Sequence, residues 1–332
     1  MKSLIKNAFA ICLVLIFLSA ATIGYVRHWS SQPLGIVEKT RVELASGQPF
    51  SAFARKLAAA GIVEHPRLWS WDARLRGLAT RVQAGEYSLA PGDTPDDLLQ
   101  ALLSGDVIFY EVQLIEGWTV TEVLGILAAD TRLEHELGGA DEQTLLGALG
   151  LPQGHAEGLF FPDTYRYERG TSDADVLMRA YDKMQSELSS HWRDRDVGLP
   201  YDTPYQALIA ASLVEKETGR EADRPQIAQV FATRLQKGMR LQTDPSVIYG
   251  LGAGFDGNLT RRHLRTDTPY NTYTRRGLPP TPIALPSLRS IQAALHPAGG
   301  DYLYFVSRGD GTSQFSTSLA EHEAAVRKYQ LR

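Results

Sequence analysis

YQALIAASLVEKETGRE, residues 205 to 221, is an unusually apolar stretch around which the rest of the chain can be arranged. Its apolar spacing predicts one helix over 205–218. Two carboxylates, Glu215 and Glu217, interrupt it near its end. At about 100° per residue they point to nearly opposite sides of the helix. The side of Glu217 carries Ala210, Leu213 and Val214, and that of Glu215 carries Leu208 and Ala211.

A carboxyl group on an apolar helix face is a candidate proton donor. Apolar surroundings disfavour the charged form, so they raise the pKa and keep the carboxyl protonated near neutral pH. Glu217 fits this description, although periodicity alone hardly separates it from Glu215. The alternative is that both glutamates are solvated near a fraying helix end, with Arg220 pairing with Glu217 three residues away.

The region from about residue 131 to residue 332 has the pattern of a mixed domain. Helices are predicted over 173–190 and over 223–237, the second with a proline in its first turn. Another helix is predicted over 287–295, followed by the strands YLYFVSR and SQFST and a last helix from about Ser318. We therefore expect the fold class to be α+β.

Three polar residues precede a proline in RLQTDPSVIYGLG, residues 240 to 252. Asp244 is suited to cap a short helix that begins at Pro245. Gln242 and Thr243 have no such local role and could offer an amide and a hydroxyl group to a sugar. We regard Gln242, Thr243 and Asp244 as candidate substrate-binding residues.

The loop DTPYNTYTRRGLPPTPIALP, residues 267 to 286, is aromatic and rich in proline. Such a loop loses little entropy when it is ordered, and tyrosine rings can lie against pyranose rings. Tyr270, Asn271 and Tyr273 are therefore candidate substrate-binding residues, unless the loop is only structural. Glu157 and Asp163, beside the aromatic GLFFPDTYRYERG, could serve the same site or cap a turn.

The segment from residue 40 to residue 130 repeats one glycine-anchored pattern three times. Pairs of apolar residues lie six and ten positions after each glycine, and the three sets are Gly47, Phe53 and Leu57; Gly92, Leu98 and Leu102; and Gly117, Val123 and Leu127. Each copy predicts a strand, a glycine turn and a small amphipathic helix. We expect the copies to pack into one module resembling the LysM modules that bind glycans, unless the recurrence arose by chance.

Residues 7 to 26 are uncharged and largely apolar, and they follow Lys2 and Lys6. A helix of about 20 such residues spans a bilayer core. The alternative is a cleaved signal peptide, whose apolar region is usually shorter. The positive-inside rule leaves the N-terminus in the cytoplasm and exports the rest. Cys12, the only cysteine, lies in this segment, so the exported part has no disulfide and no thiol nucleophile.

Several function classes lack their sequence signals. The net charge is −4 without a basic block, which argues against a nucleic-acid partner. There is no HExxH pair or GxSxG elbow and no Walker loop, so neither a metal site nor a cofactor is expected.

Six stretches in order carry a family resemblance: EGLFFPDTYRY, ASLVEKETGRE, RLQTDPSVIYGLG, TPYNTYTRRGLPPTPIALPS, AALHPAGGDYLYFV and FSTSLAEHE. They resemble the MltG (YceG-like) family of endolytic murein transglycosylases over residues 40 to 332. The resemblance implies that Glu217 is catalytic and that Glu215 supports it. Leu159 and Tyr165 depart from it, because we expect larger indole rings at those positions.

The resemblance also implies a reaction. A lyase of this family cuts the β-1,4 bond between N-acetylmuramic acid and N-acetylglucosamine within nascent peptidoglycan strands, without water, and leaves 1,6-anhydromuramyl ends. Glu217 would first donate a proton to the glycosidic oxygen and then accept the proton of the C6 hydroxyl. The alternatives are a hydrolytic muramidase with two carboxylates and a non-catalytic peptidoglycan-binding scaffold.

The expected layout has four parts: a cytoplasmic tip and anchor at 1–28, a tether at 29–39, the LysM-like module at 40–108 and the catalytic domain at 109–332. The expected location is the bacterial inner membrane, crossed once, with the catalytic domain outside the cytoplasm. Glycan strands and the membrane are the expected partners, together with peptidoglycan synthases or division proteins.

Overall fold

The computed structural model describes residues 2–331, with side chains described for residue 7 and for residues 9–331. In chain order the elements are α1 (Lys2–Ser30), β1 (Thr40–Leu44), α2 (Phe50–Ala59), α3 (Pro66–Leu75), β2 (Gly85–Leu89), α4 (Pro95–Ser104), β3 (Phe109–Gln113), α5 (Val120–Ala129), α6 (Glu142–Ala148), β4 (Thr164–Glu168), α7 (Asp173–Arg193), α8 (Pro204–Glu217), α9 (Arg224–Gln236), α10 (Asp244–Leu251), α11 (Arg261–Arg265), α12 (Leu288–Leu295), β5 (Tyr304–Ser307), β6 (Ser313–Ser316) and α13 (Leu319–Tyr329).

The chain forms two compact units. Unit 1 runs to Tyr110 and also includes Arg166–Gly170, and unit 2 holds Glu111–Tyr165 and the chain from Thr171 onward. Within residues 2–331 the strands pair only in twos, as β1 with β2, β3 with β4 and β5 with β6. The architecture is mixed, with helices and small strand pairs, in line with the predicted class.

Helix α1 contains a segment, Phe9–Ser30, that is long and apolar enough to cross a membrane, with a mean hydropathy of 2.4. Its large apolar side chains are mostly exposed, as in Phe17 and Ile16. Lys2 and Lys6, on which the predicted orientation depends, lie outside the residues whose side chains are described.

The predicted tether at 29–39 is wrong over its first half. Helix α1 continues to Ser30, and both Trp29 and Leu34 are buried in the core of unit 1. The Ser30 hydroxyl donates to the Asp96 carboxylate at 2.9 Å. The end of α1 is folded because these apolar side chains complete the core of a small unit.

Unit 1 contains the first two copies of the predicted pattern. Strands β1 and β2 pair antiparallel, from Thr40 opposite Leu89 to Leu44 opposite Gly85. Helices α2 and α3 connect them, and α4 follows β2. The inward residues of α2 and α4 are buried as predicted, and they are Phe53, Ala54, Leu57, Leu98, Leu99 and Leu102. Helix α3, which lies between the copies, was not predicted.

The third copy does not join the first two, so the single three-copy module is wrong. Strand β3, a glycine with a φ of +77° at Gly117 and helix α5 form as predicted. Gly117 donates its amide to the Leu285 carbonyl at 2.8 Å, and Leu285 donates in turn to the Trp118 carbonyl. These bonds place α5 in unit 2, because the loop that Leu285 belongs to is there.

Helix α8 is the centre of unit 2. Thr203 caps it, and every residue from Ala207 to Val214 is buried. It packs against α7, α9 and α12, so its apolar faces are covered on several sides. Strands β5 and β6 form a hairpin with Tyr304 opposite Ser316, and α13 packs on it. The hairpin also packs against α9, which in turn packs against α8.

Candidate active site

Glu217 is the last residue of α8, which ends there because Thr218 adopts an extended conformation (φ −149°, ψ 134°). The side chain is partly buried. Its Oε1 accepts a hydrogen bond from the Thr243 hydroxyl. Within residues 2–331, Oε2 has no hydrogen-bond partner. One carboxylate oxygen is therefore held by the protein and the other is free for a ligand.

The surroundings of Glu217 favour its protonated form. Burial is the largest influence, and together with the negative charge of Asp244 it raises the pKa of the carboxyl to about 7, although Thr243 and Arg234 act in the opposite direction. An unperturbed glutamate has a pKa near 4.3. Glu217 can therefore carry at neutral pH a proton that it can donate.

Glu217 opens into a cleft of about 650 Å³ in unit 2. This volume lies in the usual range for small-molecule sites. The polar side chains that line it are Arg234, Gln242, Asp244, Tyr273, Tyr304, Ser307, His322 and Gln330. Many donors and acceptors around one acid suit a hydroxyl-rich ligand such as a sugar.

The segment before α10 is held by Thr272. The amide of Gln242 donates to the Thr272 carbonyl at 3.2 Å, and the amide of Thr243 donates to the Thr272 hydroxyl at 3.0 Å. Gln242 has a φ of +53°, the only positive φ of a non-glycine residue within the described part. The hydroxyl of the next residue, Thr243, donates to Glu217.

Asp244 does not cap α10, so the predicted capping role is wrong. The helix begins at Asp244, and Thr243 occupies the cap position. The Asp244 carboxylate instead accepts a hydrogen bond from the Tyr273 hydroxyl. The proline-rich loop brings Tyr273 over the start of α10, and both residues line the cleft.

Arg234, on α9, is a cleft residue that the sequence analysis missed. It is only 8% exposed, and it donates from Nε to the Leu303 carbonyl and from Nη1 to the Leu241 carbonyl, both at 2.7 Å. Within the described chain it pairs with no carboxylate, and its Nη2 has no partner. Its position three residues after Phe231, on the inward face of α9, was the available signal.

Tyr304 and His322 extend the same wall and were also missed. Their rings stack at 5.1 Å, and the Arg234 guanidinium lies 5.2 Å from the Tyr304 ring. Burial, aided by the charge of Arg234, lowers the pKa of His322. The buried Nδ1 of His322 has no hydrogen-bond partner among the described residues. Both residues lie in stretches that carry the family resemblance, AALHPAGGDYLYFV and FSTSLAEHE, but no periodicity or spacing connected them to Glu217, since they come from β5 and α13.

Glu215 points away from the cleft. Its Oε1 accepts from Arg224 at 3.0 Å, and its Oε2 accepts from the Ser287 amide, the Ser287 hydroxyl and the Ser290 hydroxyl. Burial alone would raise the pKa of Glu215, but the bonds from Ser287 and Ser290 and the charge of Arg224 hold it below its usual value. Glu215 joins α8 to the starts of α9 and α12.

Glu157 and Asp163 do not line the cleft. Glu157 is 2% exposed, and it accepts from the Val120 amide and from the Tyr249 hydroxyl, both at 3.1 Å. Burial raises its pKa to about 8, so it is mostly protonated at neutral pH. Asp163 forms an ion pair with Lys183 on α7.

The loop residues Tyr270 and Asn271 also lie outside the cleft lining. The Tyr270 hydroxyl is hydrogen-bonded to Thr281 at 2.9 Å. Asn271 is fully buried, and its amide nitrogen donates to three backbone carbonyls, those of His263, Leu264 and Thr266. These contacts stiffen the loop that carries Tyr273.

The described residues contain no group of three or more His, Cys, Asp or Glu side chains placed to hold a metal ion.

The chain is similar to known proteins in sequence and in fold. A family model described as the YceG-like family matches residues 42–328. An endolytic murein transglycosylase of Bacillus subtilis is 30% identical over 87% of this chain and 84% of its own length. One from Streptococcus pneumoniae is 28% identical over 87% of this chain, which spans 58% of that longer relative. The crystal structure of a putative YceG-like protein from Listeria monocytogenes has a TM-score of 0.53 at 28% identity, covering 86% of this chain and 98% of that one.

Proposed function

This chain belongs to the YceG-like family, and we propose that it is a peptidoglycan lytic transglycosylase, a lyase, whose proton donor is Glu217. Two relatives are named as endolytic murein transglycosylases, which supports cleavage within glycan strands. The observation that carries the assignment of Glu217 is its carboxyl group, with a pKa raised to about 7 and a free Oε2 in the cleft.

The reaction needs one group that is first an acid and then a base. Protonated Glu217 donates to the oxygen that links N-acetylmuramic acid to N-acetylglucosamine, and the bond from C1 to that oxygen breaks. The C6 hydroxyl of the same muramyl ring then attacks C1. Glu217, now a carboxylate, takes the hydroxyl proton and returns to its starting form. The product is a 1,6-anhydromuramyl end, and no water is consumed.

A pKa near the working pH suits both steps. A carboxyl with a much lower pKa would rarely be protonated, and one with a much higher pKa would be a weaker acid towards the glycosidic oxygen. Thr243 holds Oε1 in both states, because its hydroxyl can donate to Oε1 whether Oε2 carries the proton or has given it up.

The remaining cleft residues place the sugar. Arg234 is a buried cation without a carboxylate partner in the described chain, so its Nη2 can donate to a carbonyl or carboxylate oxygen on the glycan. Gln242, Asp244 and Tyr273 offer an amide, an acceptor and an aromatic ring on the other side. Glu215 supports the site by fixing the last turn of α8.

Unit 1, which includes α1, keeps the protein at the membrane. The apolar helix Phe9–Ser30 anchors the chain in the inner membrane, with the N-terminus in the cytoplasm and unit 2 outside it. The antiparallel strand pair with two connecting helices acts as a LysM-like module that holds nascent glycan strands near the bilayer. Peptidoglycan synthases or division proteins are the protein partners that such a location offers.

The test is the chemistry of the new ends. The full-length chain in detergent is incubated with uncrosslinked glycan strands, and the products are identified by mass. Full-length protein is required because Val26 and Trp29 belong to buried parts of unit 1 and would be disturbed by truncation. Anhydromuramyl ends that arise from cuts inside the strands support the proposal.

Two results contradict it. Reducing ends would mean that water attacks C1, as in a muramidase, with Asp244 as the second carboxylate. Binding without cleavage would mean a scaffold. Glu217→Gln is the matched control, since it has nearly the same shape and removes only the acid.

A further inference from the structure

One face of α3 is exposed and carries both apolar and basic side chains. This face carries Arg67, Trp71, Arg74 and Leu75. Successive members of the set are four, three and one residues apart in the sequence, so their side chains lie on one side of the helix. Trp71 is 45% exposed and Leu75 is 62% exposed. Single exposed apolar residues are common, but a tryptophan and a leucine one turn apart form a patch.

The opposite face of α3 packs into the core of unit 1. Trp69 and Ala73 are completely buried, and the Trp69 ring packs edge-on against Phe50 of α2 at 4.7 Å. The orientation of α3 is therefore fixed by unit 1 itself. On the outward side of the helix, Trp71 and Leu75 are exposed.

The start of α3 contacts the end of the apolar run of α1. The His65 ring lies 5.9 Å from the Tyr25 ring and 5.5 Å from the Trp29 ring. The Tyr25 hydroxyl is hydrogen-bonded to His65 Nε2 at 3.0 Å. The uncharged run ends at Val26, before Arg27. His65 is therefore level with the place where α1 leaves the hydrocarbon core.

The distances along α3 are short. A helix rises about 1.5 Å per residue, so Trp71 lies only about 9 Å along the axis from His65. The headgroup layer on each side of a bilayer is roughly 5 to 8 Å thick. Residues on the outward face of α3 are thus within reach of the headgroups.

The charge on this part of the chain suits anionic lipid. Residues 66–83 contain four arginines and one acidic residue, Asp72. Asp72 pairs with Arg76 at 3.1 Å. Arg67 and Arg74 form no ion pair among the described residues, so their charges are available. Tryptophan and arginine together are typical of surfaces that lie in the membrane interface.

We propose that the outward face of α3, with Arg67, Trp71, Arg74 and Leu75, lies in the headgroup layer and binds anionic phospholipid. This contact is a second attachment of unit 1 to the bilayer that α1 spans. It rests on the part of the proposed function that makes α1 a membrane anchor. Two attachments would stop unit 1 from turning about the axis of α1.

Site-directed spin labels test the contact in the full-length chain. Cys12→Ser removes the native thiol, and single cysteines are placed at Ile16 in α1, at Leu75 in α3 and at Val197 in unit 2, a fully exposed position. The proteins are reconstituted in nanodiscs that contain phosphatidylglycerol. Collision with oxygen, which enters lipid, and with a water-soluble nickel chelate is then measured.

The expected result is a gradient. The Ile16 label collides mainly with oxygen, the Val197 label mainly with nickel, and the Leu75 label several-fold less with nickel than Val197 does. A Leu75 label as open to nickel as Val197, with Ile16 in lipid, would overturn the α3 contact and leave the anchor intact. Nickel access at Ile16 would overturn both.

The charge of the lipid gives a second readout. Replacing phosphatidylglycerol with a zwitterionic lipid, or introducing Arg67→Glu with Arg74→Glu, should raise nickel collision at Leu75 and leave Ile16 and Val197 unchanged. An unchanged Leu75 signal in both cases would overturn the binding of anionic lipid.

Discussion

Glu215 and Glu217 are two residues apart on one helix and have opposite surroundings. Glu215 accepts four hydrogen bonds, from Arg224, Ser287 and Ser290, and its pKa is held below its usual value. Glu217 accepts one, from Thr243, and its pKa is raised to about 7. Both carboxyls are largely removed from water, so burial does not distinguish them.

The number of donors decides the difference. A carboxylate that accepts several hydrogen bonds and lies beside a cation is stabilised in its charged form. It therefore stays ionised and links the helices that it contacts. A carboxyl with one donor and a negative neighbour is destabilised in that form, so it can exchange a proton. The five predictions below test this contrast, from the largest expected effect to the smallest.

Glu217→Gln should abolish cleavage and leave the fold intact. Loss of the proton donor is expected to reduce the rate on the order of 10³-fold, within the usual range for general acid catalysis. The measurement is the rate of anhydromuramyl end formation, with the far-ultraviolet circular dichroism spectrum as the check on folding. Retention of more than a tenth of the rate would assign the proton to another group.

Glu215→Gln should act mainly on stability. It leaves the Arg224 guanidinium buried without a counter-charge, which costs about 3 to 5 kcal/mol of unfolding free energy. Denaturant unfolding of the full-length chain measures the loss, with Glu221→Gln as the control because its ion pair with Arg289 is exposed. Cleavage by the folded fraction should fall much less than in Glu217→Gln. An unchanged unfolding midpoint would show that the Glu215 contacts stabilise nothing.

The rate of cleavage should depend on the protonated fraction of Glu217. Since its pKa is about 7, activity should fall as the pH rises through 7 and should approach a tenfold loss per pH unit well above it. Rates on uncrosslinked strands between pH 3.5 and 9 measure this limb. A rate that already falls through pH 4 to 5 would mean that the surroundings do not raise the pKa.

The stability gained by Glu217→Gln should itself depend on pH. The folded pKa, near 7, is above the unfolded value near 4.5, so ionisation penalises the folded state. The penalty is absent below pH 4.5, grows between 4.5 and 7 and is constant above 7. Glutamine removes it, so the variant should unfold at higher denaturant than the parent at pH 8 and at the same denaturant at pH 4. The opposite order at pH 8 would contradict the sign.

Thr243→Val should give the smallest change. It removes the hydrogen bond that lowers the pKa of Glu217, so the alkaline limb of the rate profile should move to higher pH. Thr40→Val in unit 1 is the control and should leave the profile in place. A limb that moves to lower pH would mean that Thr243 stabilises the acid rather than the carboxylate.

Local signals predicted the elements better than their assembly. The helix over 205–218 and the glycine turns at Gly47, Gly92 and Gly117 formed because short-range spacing and backbone preference decide them. The packing of the third copy in unit 2 was not predictable, because its partner, Leu285, is far along the chain. The same holds for Trp29 and Leu34, which complete a core that the tether hypothesis did not include.

The candidate site shows the same division. Glu217, Gln242, Asp244 and Tyr273 all line one cleft, and the buried Thr243 contacts Glu217 from behind it. Residues with similar sequence signals, such as Tyr270 and Glu157, form contacts elsewhere. The cleft residues that sequence reasoning missed are Arg234, Tyr304 and His322. Nothing in a local pattern reports that β5 and α13 fold back towards the end of α8.

The sequence by itself determined that this chain has an apolar N-terminal helix, an acid on a buried helix and a set of ordered motifs of one family, because each depends on residues close together in the chain. The resemblance carried by those motifs implied that Glu217 is the catalytic glutamate, but only the tertiary structure showed which carboxyl is held by several donors and which is free to exchange a proton. That choice depends on donors from Ser287, Ser290 and Arg224 for Glu215, and on Thr243 and Asp244 for Glu217. Hydrogen bonds over such sequence separations exist only after the chain has folded.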